Sequence, residues 1–245
     1  FLVRNDFASE EEQLQIYKRL LGEMDPVYFR TMDIGGDKRL SSSKETEENN
    51  PFMGLRAIRY ALQNPLVFKT QIRALLQAGL ERDLRILFPL ISGPEEFFQA
   101  KKLTREVMQE LSEEGIEHNR TPLFGPMIEL PSAAATVRTL AKYADFLSIG
   151  TNDLVQYMLG VDRTNERVAD LYNIYHPSVL HTLRAISDAG RDAGCPVSVC
   201  GDSAAEEPML MFYLGIGIRS FSVDPRSIHH VRQVITSTEI AQVEK

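Results

Sequence analysis

Residues 123–153 read LFGPMIELPSAAATVRTLAKYADFLSIGTND, and the order of patterns in them decides the fold class. Leu123–Leu130 is an almost continuous apolar run. Pro131 then opens a helical stretch, and Asp145–Ile149 is a second apolar run. A strand buried on one face alternates apolar and polar residues. A continuous run instead marks a parallel strand covered on both faces. The same rhythm extends outward. Val27–Met32 and Leu84–Ile91 precede the stretch, and Pro196–Cys200 and Ser220–Val223 follow it. Helices are expected from Asn50-Pro51 through about Gln63, and from Ser92-Gly93-Pro94 to a stop at Gly115. Phe97, Thr104, Val107, Met108 and Leu111 share one face of the latter. Further helices begin near Pro131, Pro177, Ala204 and Pro225. Such a βα series makes either an open doubly wound sheet or a (β/α)8 barrel. With no internal repeat or linker, residues 1–245 are expected to form one domain.

The chain has 245 residues, 43% hydrophobic and 25% charged, an ordinary soluble composition. No apolar run is long enough for a membrane span, and the first residues do not read as a signal peptide. The chain starts at Phe1 rather than Met, so a longer protein is expected. A net charge of −7 argues against a nucleic-acid binder. Cys195 and Cys200, if on one strand, lie too far apart to bridge. Reduced thiols and a cytoplasmic location are therefore expected.

Chemistry is sought where polar groups end apolar runs. Arg30–Asp33, Glu129, Asn152-Asp153 and Cys200-Gly201-Asp202 do so, whereas the second run ends only in Pro89. A buried strand end tolerates a carboxylate only when it is paired or holds a metal. Glu129 and Asp153 are candidate ligands of one hard cation, and magnesium suits two carboxylates plus water and phosphate oxygens. Each could instead be a helix cap or a salt-bridge partner. Arg30, Arg56 and Arg163 are candidate forks for an anionic substrate; Arg59, Arg73 and Arg85 read as surface arginines. The polar segment 34–50 is either a solvated loop or a strand-end functional loop, and Gly35-Gly36 permits close backbone approach to a phosphate. No GxxxxGK[ST] or strand-linked GxGxxG is present. Cys200 and Cys195 read first as buried structural thiols. The five histidines, His118, His176, His181, His229 and His230, form no metal-spaced set.

RTMDIGGDK at 30–38, ENNPFMGLRAIR at 48–59, IELPSAAA at 128–135, FLSIGTNDLVQYMLGVDR at 146–163 and VCGDSAA at 199–205 occur in the order found in enzyme I, the first protein of the phosphoenolpyruvate phosphotransferase system. The chain resembles that family over essentially its whole length. GTNDL-x-QY-x-L-x-VDR is the most specific element.

The resemblance implies a TIM-type (β/α)8 barrel, N-terminally incomplete, with about six of eight strands present. It implies phosphoenolpyruvate bound with Mg2+ at the C-terminal face. Glu129 and Asp153 would be the metal ligands. Asn152, Arg30, Arg56 and Arg163 would bind substrate, and Cys200 would be the general acid for the enolate carbon. The phosphoryl group would pass to a histidine on a domain outside this chain, releasing pyruvate. An HPr-like phosphocarrier protein would be engaged through absent N-terminal domains, and a homodimer is expected. Neither nucleic acid nor membrane is an expected partner.

Three positions depart from the family pattern. Cys-Gly-Glu is here Cys200-Gly201-Asp202, Ala-Gly is Ala204-Ala205, and Ser-Met-Ser is Ser222-Val223-Asp224. Asp202, negative and near Cys200, is expected to help the thiol keep its proton. Phe1 resembles the end of an Arg-Thr-Glu-Phe stretch whose arginine binds substrate. RVADLYNIYHPSVL at 167–180 looks more like the nitrogen-regulatory branch than the sugar branch. Two alternatives remain: a pyruvate phosphate dikinase or phosphoenolpyruvate synthase barrel, and a non-catalytic phosphoenolpyruvate-sensing dimerisation module.

Overall fold

The computed structural model describes residues 7–24, 26–35 and 48–243. Most of the 34–50 segment, including Gly36, lies outside the described residues, as does Phe1. Helices alternate with six strands among the described residues, and every strand pair described below is parallel. The chain divides into two compact units. One runs to Leu90 and resumes over Glu95–Gly125; the other comprises Ile91–Pro94 and the chain from Pro126 onward.

The first unit contains α1 (Glu10–Glu23), β1 (Val27–Arg30), a 3-10 turn (Pro51–Met53), α2 (Ala57–Gln63), α3 (Pro65–Ala78), β2 (Leu84–Phe88) and nearly all of α4 (Pro94–Glu113). Strands β1 and β2 pair from Val27↔Leu84 to Arg30↔Leu87. Helix α1 starts on a full capping box, Ser9 with Glu12, a pattern legible as Ser-x-x-Glu. Helix α4 buries Phe97, Ala100, Thr104, Val107 and Leu111, the three-four spacing of one helical face. Ala100 joins that face, while Met108 is only half-buried. Gly115, at φ +71°, ends the helix as expected. Phe88 stacks on Phe124 and meets Phe68 and Phe97, with ring centroids 6.0–6.2 Å apart, which fixes β2 in the core.

The helix expected from Pro51 to Gln63 is not continuous. Asn50 makes no side-chain cap, the 3-10 turn stops at Gly54, and Arg56 is extended. Ala57 sits at φ +49° and its N–H donates to the Ile34 carbonyl at 2.9 Å. That long-range bond ties the chain to the end of β1 and overrides local helix propensity. Left-handed backbone at a residue with a Cβ is strained. Leu90, just past β2, is likewise at φ +56° although fully buried.

The second unit follows β3 (Leu123–Ile128), which begins in the first unit, with α5 (Pro131–Ala135), α6 (Val137–Tyr143), β4 (Leu147–Gly150), α7 (Thr151–Leu159) and α8 (Pro177–Ala193). Then come β5 (Val197–Cys200), α9 (Glu207–Gly215), β6 (Ser220–Ser222), α10 (Ile228–Ser237) and α11 (Ile240–Val243). Ile128 pairs with Ile149, Gly150 with Cys200, and Cys200 with Ser222. The C-terminal ends of β3, β4, β5 and β6 therefore lie in one layer. β4 is buried throughout, as a continuous apolar run implies. β6 is the exception: Ser220 and Ser222 are exposed and only Phe221 turns inward, packing on the Leu210–Leu214–Val231–Val234 cluster of α9 and α10.

Candidate active site

The shared level of the strand ends brings candidate residues of the second unit together. Glu129 follows β3 and is buried. It lies against Gly150, where an added Cβ would stand 2.6 Å from Glu129 Oε2. Only glycine at the end of β4 admits this carboxylate. Asp153 is the third residue of α7 and also buried, where the helix N-terminus favours negative charge. Arg163 Nη2 stands 3.8 Å from Asp153 Oδ1, an ion pair too long for a hydrogen bond. Glu129, just after β3, and Asp153, in the first turn after β4, are both buried hard-oxygen donors. That fits a magnesium ion completing its shell with water and substrate. Among the described residues, no group of three or more His, Cys, Asp or Glu is arranged to hold a metal.

Arg163 is placed by its own turn. Its backbone N–H donates to the buried Gln156 Oε1 at 3.1 Å. Beside it, Asp162 Oδ1 accepts from the Thr164 hydroxyl and N–H, and those bonds hold the Asp162 carboxyl below its ordinary range. Asn152, second in α7, donates from Nδ2 to Asp202 Oδ2 at 3.0 Å and accepts on Oδ1 from the Asp202 N–H at 3.1 Å. A cavity of about 480 Å³ opens between Asn152, Arg163, Tyr172, Asp202, Ser203 and Glu206. Burial pushes the Tyr172 hydroxyl up to about 12, with Arg163 opposing.

Cys200 closes β5. Its thiol donates to the Ile149 carbonyl at 3.4 Å and accepts from Ser148 Oγ at 3.5 Å. Cys195 differs: it is buried, faces the Ala144 carbonyl, and burial pushes it up to about 11. Neither cysteine forms a disulfide. Behind Cys200, Thr151 Oγ1 donates to the Cys200 carbonyl at 3.1 Å and accepts from Ser203 Oγ at 2.9 Å, and Ser203 meets Tyr213 OH at 2.8 Å. Each hydroxyl has one proton, so Tyr213 must donate to Ser203.

In the first unit, Asp33 gathers two expected arginines. Arg56 is buried and donates from Nε and Nη2 to Asp33 at 3.0–3.2 Å. Arg30 is exposed, with Nη1 3.9 Å from Asp33 Oδ2. Arg56 also lies 5.8 Å from the Phe52 ring centroid. Gly35, at φ +103°, leaves room for it; a Cβ there would stand 2.5 Å from Arg56 Cβ. Arg59, Arg73 and Arg85 hold structure: Arg59 binds the Met53 and Gly54 carbonyls, Arg73 bridges Glu10 and Glu114, and Arg85 pairs with Asp83.

Two residues carry roles that the sequence reading did not give them. Asp33 ended an apolar run beside Arg30, and a carboxylate there needed a cationic partner. Asp202, expected to act on Cys200, also exchanges two hydrogen bonds with Asn152.

Parallel strands joined by helices define an α/β protein, with carboxylates, an amide, an arginine and a thiol near the C-terminal ends of the strands. Comparison with known proteins narrows this. Residues 1–240 match the family described as PEP-utilising enzyme, PEP-binding domain, and the chain belongs to that family. It is 42% identical to the phosphoenolpyruvate-protein phosphotransferase of Priestia megaterium, covering 100% of this chain and 43% of that one. The protein so named in Mycoplasma capricolum subsp. capricolum is 41% identical, with 99% and 42% covered. The chain thus spans well under half the length of these relatives. Among solved structures, RipC from Yersinia pestis is similar at a TM-score of 0.51 and 14% identity, covering 97% of this chain and 88% of that one. A citrate lyase from Burkholderia xenovorans is similar at 0.52 and 18%, with 71% and 54% covered. These likenesses bear on the fold alone. No helix among the described residues is long and apolar enough to cross a membrane.

Proposed function

We propose that this chain is the catalytic phosphoenolpyruvate-binding domain of an enzyme I-type phosphotransferase. The observation that carries this is the strand register of the second unit. It sets Glu129 against Gly150 and brings Asp153 and Cys200 to the same strand ends. The relatives named phosphoenolpyruvate-protein phosphotransferase favour this reading over a dikinase or synthase.

Glu129 and Asp153 would hold Mg2+, which when bound supplies positive charge to the phosphate and the developing enolate oxygen. Arg163 and Asn152 donate to the substrate's anionic oxygens; Arg30 and Arg56, gathered by Asp33 in the first unit, are further candidate anion-binding groups. Such transfer needs positioning and charge neutralisation more than covalent help. The P–O bond to the enol oxygen breaks as a P–N bond forms to a histidine on another domain. The electron pair left on the enolate takes a proton at carbon from the Cys200 thiol, giving pyruvate. In the same reading the parallel strands and their helices have the βα order of a (β/α)8-type fold. The domain would dimerise in the cytoplasm and serve an HPr-like phosphocarrier. The relatives named phosphoenolpyruvate-protein phosphotransferase favour such a carrier.

Calorimetric titration of phosphoenolpyruvate into the full-length protein, with and without magnesium chloride, is the test. Magnesium-dependent binding is expected; absence of binding in both arms removes the proposal.

A further inference from the structure

We infer that Asp202 is a positioning residue that forces Asn152 to meet the substrate as a hydrogen-bond donor. The inference rests on the proposed reading of Asn152 as a substrate-binding residue. The two side chains form a closed reciprocal pair: Asn152 Nδ2 to Asp202 Oδ2 at 3.0 Å, and the Asp202 N–H to Asn152 Oδ1 at 3.1 Å. An amide turned the other way would set Oδ1 against a carboxylate and NH2 against an N–H, two repulsive contacts. The pair therefore permits one orientation. Nδ2 has two protons and Asp202 takes one. Both residues line the same cavity as Arg163, and the inference assigns the second proton to the ligand.

The backbone is built for this pair. Gly201 sits at φ +110°, and a Cβ there would stand 2.9 Å from Asn152 Oδ1 and 2.3 Å from Thr151 Oγ1. Only glycine lets the Asp202 N–H approach the amide. A carboxylate beside a site for an anion would by itself repel the ligand. Its contact with Asn152 gives it a use there: it converts an ambivalent amide into a fixed donor. The short Asp side chain suits this distance. Asp202 is exposed, so truncating it removes little packing.

The experiment measures phosphoenolpyruvate binding and steady-state pyruvate formation in the full-length protein, with magnesium present, for the parent, Asp202→Ala and Asp202→Asn. Both substitutions are also placed on Asn152→Ala. Asp202→Ala is expected to raise Kd and KM about tenfold, the factor for one lost charge-assisted hydrogen bond, with kcat nearly kept. Asp202→Asn, whose Oδ1 still accepts from Asn152, is expected within about threefold of the parent. On Asn152→Ala neither substitution should cost more, because the residue being oriented is gone. Melting temperatures are recorded for all, and Asp202→Ser replaces the alanine variant if that one fails to fold. Parental affinity in Asp202→Ala overturns the inference. So does an equal loss in Asp202→Asn, or a loss that persists on Asn152→Ala. A parent that binds no phosphoenolpyruvate sinks the proposed function instead, and this inference with it.

Discussion

Arg56 and Asp33 form a forked ion pair with both side chains almost wholly buried, at 3% and 5% exposure. Breaking such a pair leaves a desolvated charge and typically costs about 3–5 kcal/mol. Asp33→Ala is expected to destabilise the full-length protein on that scale. Removing Arg56 as well should recover part of the loss. Denaturant midpoints for the single and double variants check this; a double variant worse than the sum of the singles would contradict it.

Arg163 is only partly buried, its side chain 32% exposed, and its turn is fixed by Gln156 through the backbone. Arg163→Ala should therefore leave the fold intact and weaken phosphoenolpyruvate binding by about 1.5–3 kcal/mol. Titration calorimetry on parent and variant reads it out. Unchanged affinity removes Arg163 from the site.

Gly150→Ala introduces a Cβ where Glu129 Oε2 now lies, 2.6 Å away. The carboxylate must shift, and misplaced support of a metal ligand commonly costs about 10–100-fold in metal affinity. The magnesium concentration for half-maximal activity should rise by at least the lower figure. An unaltered magnesium curve would mean that Glu129 does not hold the metal.

Cys200→Ala separates an enzyme from a sensor. A proton donor to the enolate carbon, once lost, should slow pyruvate formation about 10²–10⁴-fold while phosphoenolpyruvate binding survives. Solvent deuterium entering pyruvate, followed by mass spectrometry in the full-length protein, measures the step. Equal rates in parent and variant would leave Cys200 as a packing residue and favour the sensor.

Burial raises Tyr172 from an ordinary 10.0 to about 12. The unfolded chain therefore releases this proton at lower pH than the folded one. The stability contribution is intact below pH 10.0 and falls as the pH climbs toward about 12. Tyr172→Phe should flatten the loss of stability over that window. Denaturation curves at about pH 9 and about pH 11 test it, and identical slopes in both proteins would count against it.

The strands were legible because each is a short apolar run bounded by polar residues, and all six runs hold a strand. Helix starts were legible where proline opens them, as at Pro94, Pro131 and Pro177. The break between Pro51 and Gln63 was not, because it is made by a bond from Ala57 to Ile34, which no local propensity encodes. Helix α1 could have been found from Ser9 and Glu12. Site candidates were legible one at a time, as charges ending apolar runs. Their pairings were not: Arg56 finds Asp33 across 23 residues, and Asn152 finds Asp202 across 50. The first meeting follows from the long-range Ala57–Ile34 bond and the second from the register of β4 with β5, and sequence proximity makes neither.

The hydroxyls of Tyr213, Ser203 and Thr151 span from α9 to the Cys200 carbonyl through three oxygen-to-oxygen contacts of 2.8, 2.9 and 3.1 Å. Hydrogen-bond lengths vary over only a few tenths of an ångström, whereas hydrocarbon packing is less directional. This corner is thus gauged by a stiff spacer, and α9 can slide little without severing a link. Three ordinary alcohol groups, none of which need touch the substrate, make the height of the cysteine above the strand ends a manufactured dimension with a narrow tolerance.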